Sequence, residues 1–259
     1  MIGPRNTALT FLAFVLLALS ASALVVSRAS ATEDDAKEIL KSMSDYMANQ
    51  QTISASFDSA VEVITPQMEK IEFASSGTLL MSRPSALHVT RTGGYSDVEM
   101  FFDGGAVTIF GKNINGYTQL DTSGTVDDLI DELRDRGMAI PGADLLVSNV
   151  YETLMADVIE AKYIGHGVVG GVECDHLAFR NQDIDWQIWI ERGDNPIPRK
   201  FVITSKAVGA APQYTLVIDD WQTEVATSDA DFAFTPPEGA QDLGADALAE
   251  LNDIPPPAQ

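Results

Sequence analysis

Three histidines, one cysteine and a surplus of carboxylates are the side chains with which this sequence could do chemistry. Cys174, Asp175 and His176 stand side by side, an order that would suit a thiolate–imidazole nucleophile. On an extended strand, however, residues i and i+2 share a face while i+1 points away. Cys174 and His176 then share a face, and Asp175 leaves it. Nor do those two complete a tetrahedral metal site, because no second cysteine and no cluster of histidines accompanies them; His88 and His166 lie elsewhere in the chain. A small buried thiol beside a hydrogen-bonded imidazole fits these residues better. The carboxylates of Asp183/Asp185 and Asp219/Asp220 are spaced as acid–base pairs could be. With 38 acidic residues in a chain of 259, such pairs are expected by chance, at solvated turns and strand ends. No G-x-S-x-G elbow, P-loop or G-x-G-x-x-G fingerprint is present. The expectation is a protein with no catalytic residue, no metal ligand and no cofactor, and hence not an enzyme.

Charge narrows the partners. The formal net charge is −22, which repels nucleic acid and anionic surfaces and excludes a nucleic-acid role. Met1–Thr7 carries one cation, Arg5; Ala8–Val26 is uncharged and mostly apolar; Ala29-Ser30-Ala31 offers a small-x-small cleavage site ahead of Glu33-Asp34-Asp35. That order is the one of a secretory signal peptide, here residues 1–31, with Ala21-Ser22-Ala23 as a second site. The apolar run is long enough that an uncleaved inner-membrane anchor is the alternative. Export to the periplasm is expected either way. A single cysteine allows no intramolecular disulfide, so stability must come from packing. The rest of the chain suits one domain, 32–243, followed by a flexible proline-rich tail, 244–259.

The elements that must position any site are mostly strands. Asp34–Gln50 is the clearest helix: Ala36, Ile39, Leu40, Met43, Tyr46 and Met47 form one apolar stripe, and Thr32 is its N-cap. From Ile53 the period changes to two. Segments 53–63, 68–81, 87–92, 98–102, 106–110 and 116–120 read as sequential short strands, an antiparallel meander. Ser123–Thr153 breaks it with helical spacing at Val126, Leu129, Ile130 and Leu133 behind Thr125, then shorter helical pieces at 145–147 and 151–158. Strands resume at 159–169, 172–180, 185–191, 199–204 and 213–225, with Asp231–Gly239 as a last extended segment. In 185–191, Trp186, Ile188 and Ile190 share one face, while Trp189 falls among the polar residues of the other. A sheet this rich in aromatic and β-branched residues needs an apolar layer on its inner face. The fold class is mainly β with helices.

Several short pieces point to one family in order. They are Ile53-Ser54-Ala55-Ser56-Phe57 after an amphipathic helix, Gly77 to Pro84 (GTLLMSRP), Phe102-Asp103-Gly104, and Phe232 to Gly239 (FAFTPPEG). Together they resemble the LolA/LolB-type periplasmic lipoprotein-carrier superfamily over nearly the whole mature chain. Cys174–Thr204 is more similar to a narrower family of predicted bacterial periplasmic proteins with this fold and no established activity. The resemblance implies an incomplete antiparallel β-barrel whose apolar concavity is covered by a helical lid and binds acyl chains. It also implies that the arginine of the Arg-Pro pair, Arg83, latches the lid by hydrogen bonds to its backbone, a task its planar fork suits. The expected lining is Met43, Tyr46, Met47, Phe57, Phe73, Trp186, Ile188, Phe201 and Trp221, from an aromatic and methionine set that also includes Met68 and Tyr214. The same set suits a filled core. Expected partners are a lipid or acylated protein and, transiently, a membrane protein; the expected state is a monomer. The competing readings are a periplasmic sensor or protein-interaction domain with a closed core, and a hydrolase built on Cys174 or His176.

Overall fold

The structure, a computed structural model, describes residues 32–247 except Ser96, Ala139 and Asp246. The signal peptide expected at 1–31 and residues 248–259 of the tail expected at 244–259 lie outside the described residues, while Gly244, the first residue of that tail, accepts from the Thr118 hydroxyl at 2.8 Å. Helix α1, Glu33–Ala48, starts at Thr32, whose hydroxyl accepts from Asp35 N at 3.3 Å while the Asp35 carboxylate accepts from Thr32 N at 2.5 Å. This reciprocal cap satisfies two donors that a helix end leaves without partners. Its stripe of Ala36, Leu40, Met43 and Met47 is buried. Thr125 and Asp128 build the same cap on α2, Val126–Asp135, which buries Val126, Leu129, Ile130 and Leu133.

The strands come in two runs. The first holds β1 (Thr52–Ile64), β2 (Lys70–Ser82), β3 (Ala86–Gly93), β4 (Asp97–Phe102), β5 (Ala106–Gly111) and β6 (Gly116–Asp121). After α2 come a one-turn 3-10 helix, Ala143–Leu145, and α3, Val150–Met155, shorter than the helical stretch expected at 151–158. The second run holds β7 (Glu160–Val169), β8 (Val172–Arg180), β9 (Ile184–Glu191), β10 (Pro198–Ser205) and β11 (Gln213–Thr223), before the two-residue β12 (Gln241–Asp242). Among the described residues these form one twelve-stranded sheet in the order β12-β6-β5-β4-β3-β2-β1-β11-β10-β9-β8-β7. Each run is a meander, and antiparallel pairing of β1 with β11 joins them, Phe57 opposite Ile218. Only the short β12 is parallel, to β6. The sheet does not close on itself, so the fold is an open antiparallel barrel with helices over its inner face. Turn chemistry sets the register. Gly170 and Gly171, at φ 56° and 85°, make the two-residue β7–β8 turn, and the Asp103 carboxylate accepts from Gly105 N and Ala106 N at 2.9 Å each in the β4–β5 turn.

The inner face is covered in two halves. Helix α1 lies on β7, β8 and β9 and touches α3. The core beneath it is filled: Ile188 and Met43 are wholly buried, Trp186 stacks on Phe179 at 3.9 Å, and Phe201 meets its edge at 5.8 Å. The other half, over β1–β4 and β11, is covered by α2 and residues 140–146. On the outer face, Asp231–Gly239, expected as a last extended segment, forms no strand of the sheet. Asp229–Asp231 is a 3-10 turn, and the Phe234 ring sits 5.5, 5.6 and 5.1 Å from Phe101, Phe110 and Tyr117. Pro236 and Pro237 have no N–H to give a ladder, so this strap is held by its rings.

Two imidazoles tie the fold to pH. His88 stacks on Phe101 at 4.2 Å and His176 on Trp189 at 4.0 Å, and burial pushes both below the ordinary imidazole value. The folded protein then binds fewer protons than the unfolded chain, so their contribution is complete above about pH 6.5 and is lost as the pH falls below it. Urea unfolding at pH 7.5 and 5.5 should give lower stability at 5.5, and a His88→Gln, His176→Gln double variant should flatten that slope.

Candidate functional site

Between the β1–β4 and β11 half of the inner face and the segment that covers it lies a cavity of about 210 Å³. Its floor is built by strand alternation. Ala55, Phe57 and Ser59 of β1, Leu79 of β2, Leu87, Val89 and Arg91 of β3, Met100 of β4, and Leu216 and Ile218 of β11 all point inward at every second position. Gly77 makes room for the Phe57 ring: a Cβ there would lie 2.1 Å from Thr90 O and 2.5 Å from Phe57 Cζ. A bulge supplies one more wall. The β1–β11 register slips between Ser54 and Ser56, with Asp220 at φ 46°, so that Trp221 faces the cavity together with the even-numbered Leu216 and Ile218. Asp220 is held there by the Ser56 hydroxyl, which donates at 2.8 Å. The roof is Leu129, Ile130 and Leu133 of α2 with Ile140 to Ala143, Leu145 and Leu146.

The roof is tied down by polar contacts near its ends. Val126 N donates to Pro84 O at 2.8 Å, and the Asp127 carboxylate accepts from Ser148 N at 2.9 Å and from the Ser148 hydroxyl. Arg83 Nη2 donates to Leu146 O at 2.9 Å and reaches Val147 O at 3.5 Å. Burial pushes the Arg83 guanidinium below its ordinary range, and the Asp127 charge opposes the shift.

The structure places the expected lining residues in three groups. Met47, Phe57 and Trp221 line the cavity. Met43, Trp186, Ile188 and Phe201 do not: they are buried in the half of the core under α1. Tyr46 and Phe73 are half-buried and away from it, Phe73 edge-on to Tyr95 at 5.2 Å near the β3–β4 turn. Helix α1 therefore gives the cavity one residue, Met47, and the roof is chiefly α2 and 140–146. Sequence reasoning missed Arg91. The signal was available, since Arg91 follows Leu87 and Val89 at strand period on an apolar face.

The residues first weighed for chemistry have other occupations. Cys174 is buried on the outer face with Sγ 3.5 Å from Val172 O, and burial pushes its thiol up, away from the reactive thiolate. His176 Nε2 meets Gln187 Oε1 at 2.9 Å. Asp175 points the other way and accepts from the Tyr163 hydroxyl at 2.8 Å; burial and that carboxylate push the phenol up to about 12. Asp185 pairs with Lys206 and Arg180 at 2.9 and 3.1 Å.

A family model described as predicted periplasmic protein (DUF2092) matches residues 36–244. The chain belongs to this family. Its fold is similar to several solved structures at low identity. An uncharacterised conserved protein from Thermus thermophilus is 11% identical with a TM-score of 0.47, over 81% of this chain and 98% of that one. The lipoprotein LppX from Mycobacterium tuberculosis is 10% identical with a TM-score of 0.40, over 76% and 99%. A LolA superfamily protein from Nitrosomonas europaea is 11% identical with a TM-score of 0.35, over 77% and 97%. A search of curated proteins returned no match. In this DUF2092 member, no helix among the described residues is long and apolar enough to cross a membrane.

The Arg83 contacts give a testable result. Arg83→Leu leaves the Leu146 and Val147 carbonyls without this donor, and a hydrogen bond to a charged group contributes about 1.5–3 kcal/mol. Amide exchange across 140–150, followed by mass spectrometry, should speed up by about tenfold or more, while exchange in β8 and β9 stays unchanged.

Proposed function

We propose that this protein is an exported, non-catalytic carrier that holds an apolar chain of a lipid or an acylated protein under its lid. One observation carries the reading: about 210 Å³ of cavity, walled almost wholly by apolar side chains, in a molecule whose other half is filled. Such space has no structural use, since a void forfeits the dispersion contacts its walls could make. An acyl chain would restore them and remove about 0.8 kcal/mol of exposed surface per methylene. No covalent step is needed. Arg83 acts as the latch: its bonds hold the roof by carbonyls that water can equally satisfy, so opening exchanges hydrogen bonds and disrupts little packing. The family's periplasmic description supports export, and the acidic surface keeps a protein that handles apolar cargo dispersed in water.

The test is native mass spectrometry of the purified protein followed by titration with a fatty acid brominated along its chain. A lipid adduct, or saturable quenching of tryptophan emission that is lost in Trp221→Phe, supports the carrier. Val89→Trp, which fills the cavity from the floor, should weaken binding by about tenfold or more. A protein that shows no adduct and no saturable quenching is better described as an interaction domain with a closed core.

A further inference from the structure

The large apolar side chains that solvent reaches are not spread evenly. Among the described residues there are eight, and five of them, Met68, Ile71, Tyr95, Ile114 and Val208, stand at one end of the sheet, between 43% and 62% exposed. The topology brings them there. In an antiparallel meander alternate turns share an end, and the β1–β11 pairing aligns the two runs, so the turns after β1, β3, β5 and β10 lie side by side. Neighbouring turns touch. Gly209 leaves room for Met68, whose Cε lies 3.3 Å from where a Cβ on that glycine would stand. The Tyr95 ring meets Phe73, two residues from Ile71, and Asn113 Nδ2 donates to Tyr95 O at 3.3 Å. The five side chains thus form one arc. The cavity leads toward it: the floor runs from Ala55 to Ser59 in β1 and from Leu87 to Arg91 in β3. The opposite end is closed by Ile53, Met81 and Phe102, all wholly buried.

Lysines border the arc. Lys70 precedes Ile71, Lys112 stands two residues before Ile114, and Lys206 two before Val208. Each is paired: Lys70 with Glu62 at 3.0 Å, Lys206 with Asp185 at 2.9 Å, and Lys112 with Glu99. The border is therefore made of ion pairs, each without net charge. We propose that this end docks on a lipid bilayer of zwitterionic head groups, with the arc dipping among them and the cavity facing the membrane. The proposal adds a loading place to the carrier reading and rests on it only for that purpose. Three features commit it to a bilayer. Apolar side chains set singly on separate turns suit a fluid surface that closes around each of them, whereas a protein partner is held by a contiguous packed patch. A tyrosine, and lysines with apolar stems, fit a boundary that is dry on one side and wet on the other. Ion pairs match head groups that themselves carry both charges, while the net charge of −22 opposes an anionic surface. A chain leaving the bilayer at this end enters the cavity with little of its length exposed to water.

The experiment takes the chain from Thr32 onward, which holds all twelve strands and the three α-helices, and sediments it with vesicles of phosphatidylcholine. A second set of vesicles contains phosphatidylglycerol, and both are run at about 0.15 M salt. The protein should sediment with the neutral vesicles and less with the anionic ones. Met68→Ser, Ile114→Ser and Val208→Ser together should weaken vesicle binding by about tenfold or more, and leave fatty-acid binding in solution unchanged. Ile164→Ser with Val168→Ser, exposed on β7 away from the arc, should change neither. No sedimentation by a protein that still binds the fatty acid overturns the docking alone. Undiminished binding by the triple variant, an equal loss in the β7 variant, or tighter binding to the anionic vesicles overturns it as well. Arc-dependent vesicle binding by a protein that takes up no fatty acid supports the docking and overturns the carrier reading.

Discussion

A curved sheet with an apolar inner face has to be covered, and this chain has too little helix to do so evenly. Helix α1 covers β7–β9 with a full stripe of Ala36, Leu40 and Met43 over Trp186, Ile188 and Phe201. What remains for β1–β4 and β11 is the ten-residue α2 and an irregular stretch around the 3-10 turn 143–145. Those elements reach the walls without filling the space between them. The cavity is the result of this mismatch between area and cover, and the polar contacts of Pro84, Arg83 and Asp127 add to the buried side chains of α2 in holding the roof.

Two bulges then decide what faces where. A strand repeats every two residues, so one extra residue exchanges its faces. In β11 the slip beside Asp220 turns Trp221 inward. In β7 the slip between Tyr163 and Gly165 leaves Ile164 unpaired and 53% exposed. Beyond it, the Tyr163 hydroxyl meets His166 Nδ1 at 3.1 Å as well as Asp175. In each case one residue adjusts the local pattern while the neighbouring pairings stay regular.

Much of this architecture is legible in the order of residue types. The α1 stripe, the caps at Thr32 and Thr125, the two-residue turn at Gly170-Gly171 and nearly every strand follow from spacing and turn chemistry. So does the outward position of Trp189, which the polar neighbours Gln187 and Glu191 announce and which stacking with His176 explains. The division of the interior was not legible. Met43 and Met47 occupy one stripe of one helix, yet only Met47 reaches the cavity, because the difference lies in where α1 docks on the sheet. Composition likewise made Trp186 and Trp221 equivalent, although one is stacked on Phe179 in a filled core and the other lines open space after a bulge. Arg83 is the reverse case: the Arg-Pro pair in the sequence singles out the residue that donates to Leu146 O.

An open sheet has two borders, and a row of unpaired N–H and C=O groups on either could recruit a strand from another molecule. At one border β12 pairs with only Gly116 and Tyr117 of β6, while Leu243 N bonds to Tyr117 O and the Thr118 hydroxyl to Gly244 O, so the chain's own last described stretch occupies that edge. At the other, β7 carries Ile164 and Val168 toward solvent with exposed Ile159 just before it, a composition that invites self-association. Its bulge interrupts the ladder between Tyr163 and Gly165, and the Lys162 charge lies just before the break. A straight template of full strand length is therefore never presented. The same slip that sets the local side-chain pattern thus also breaks up the exposed border of the open barrel.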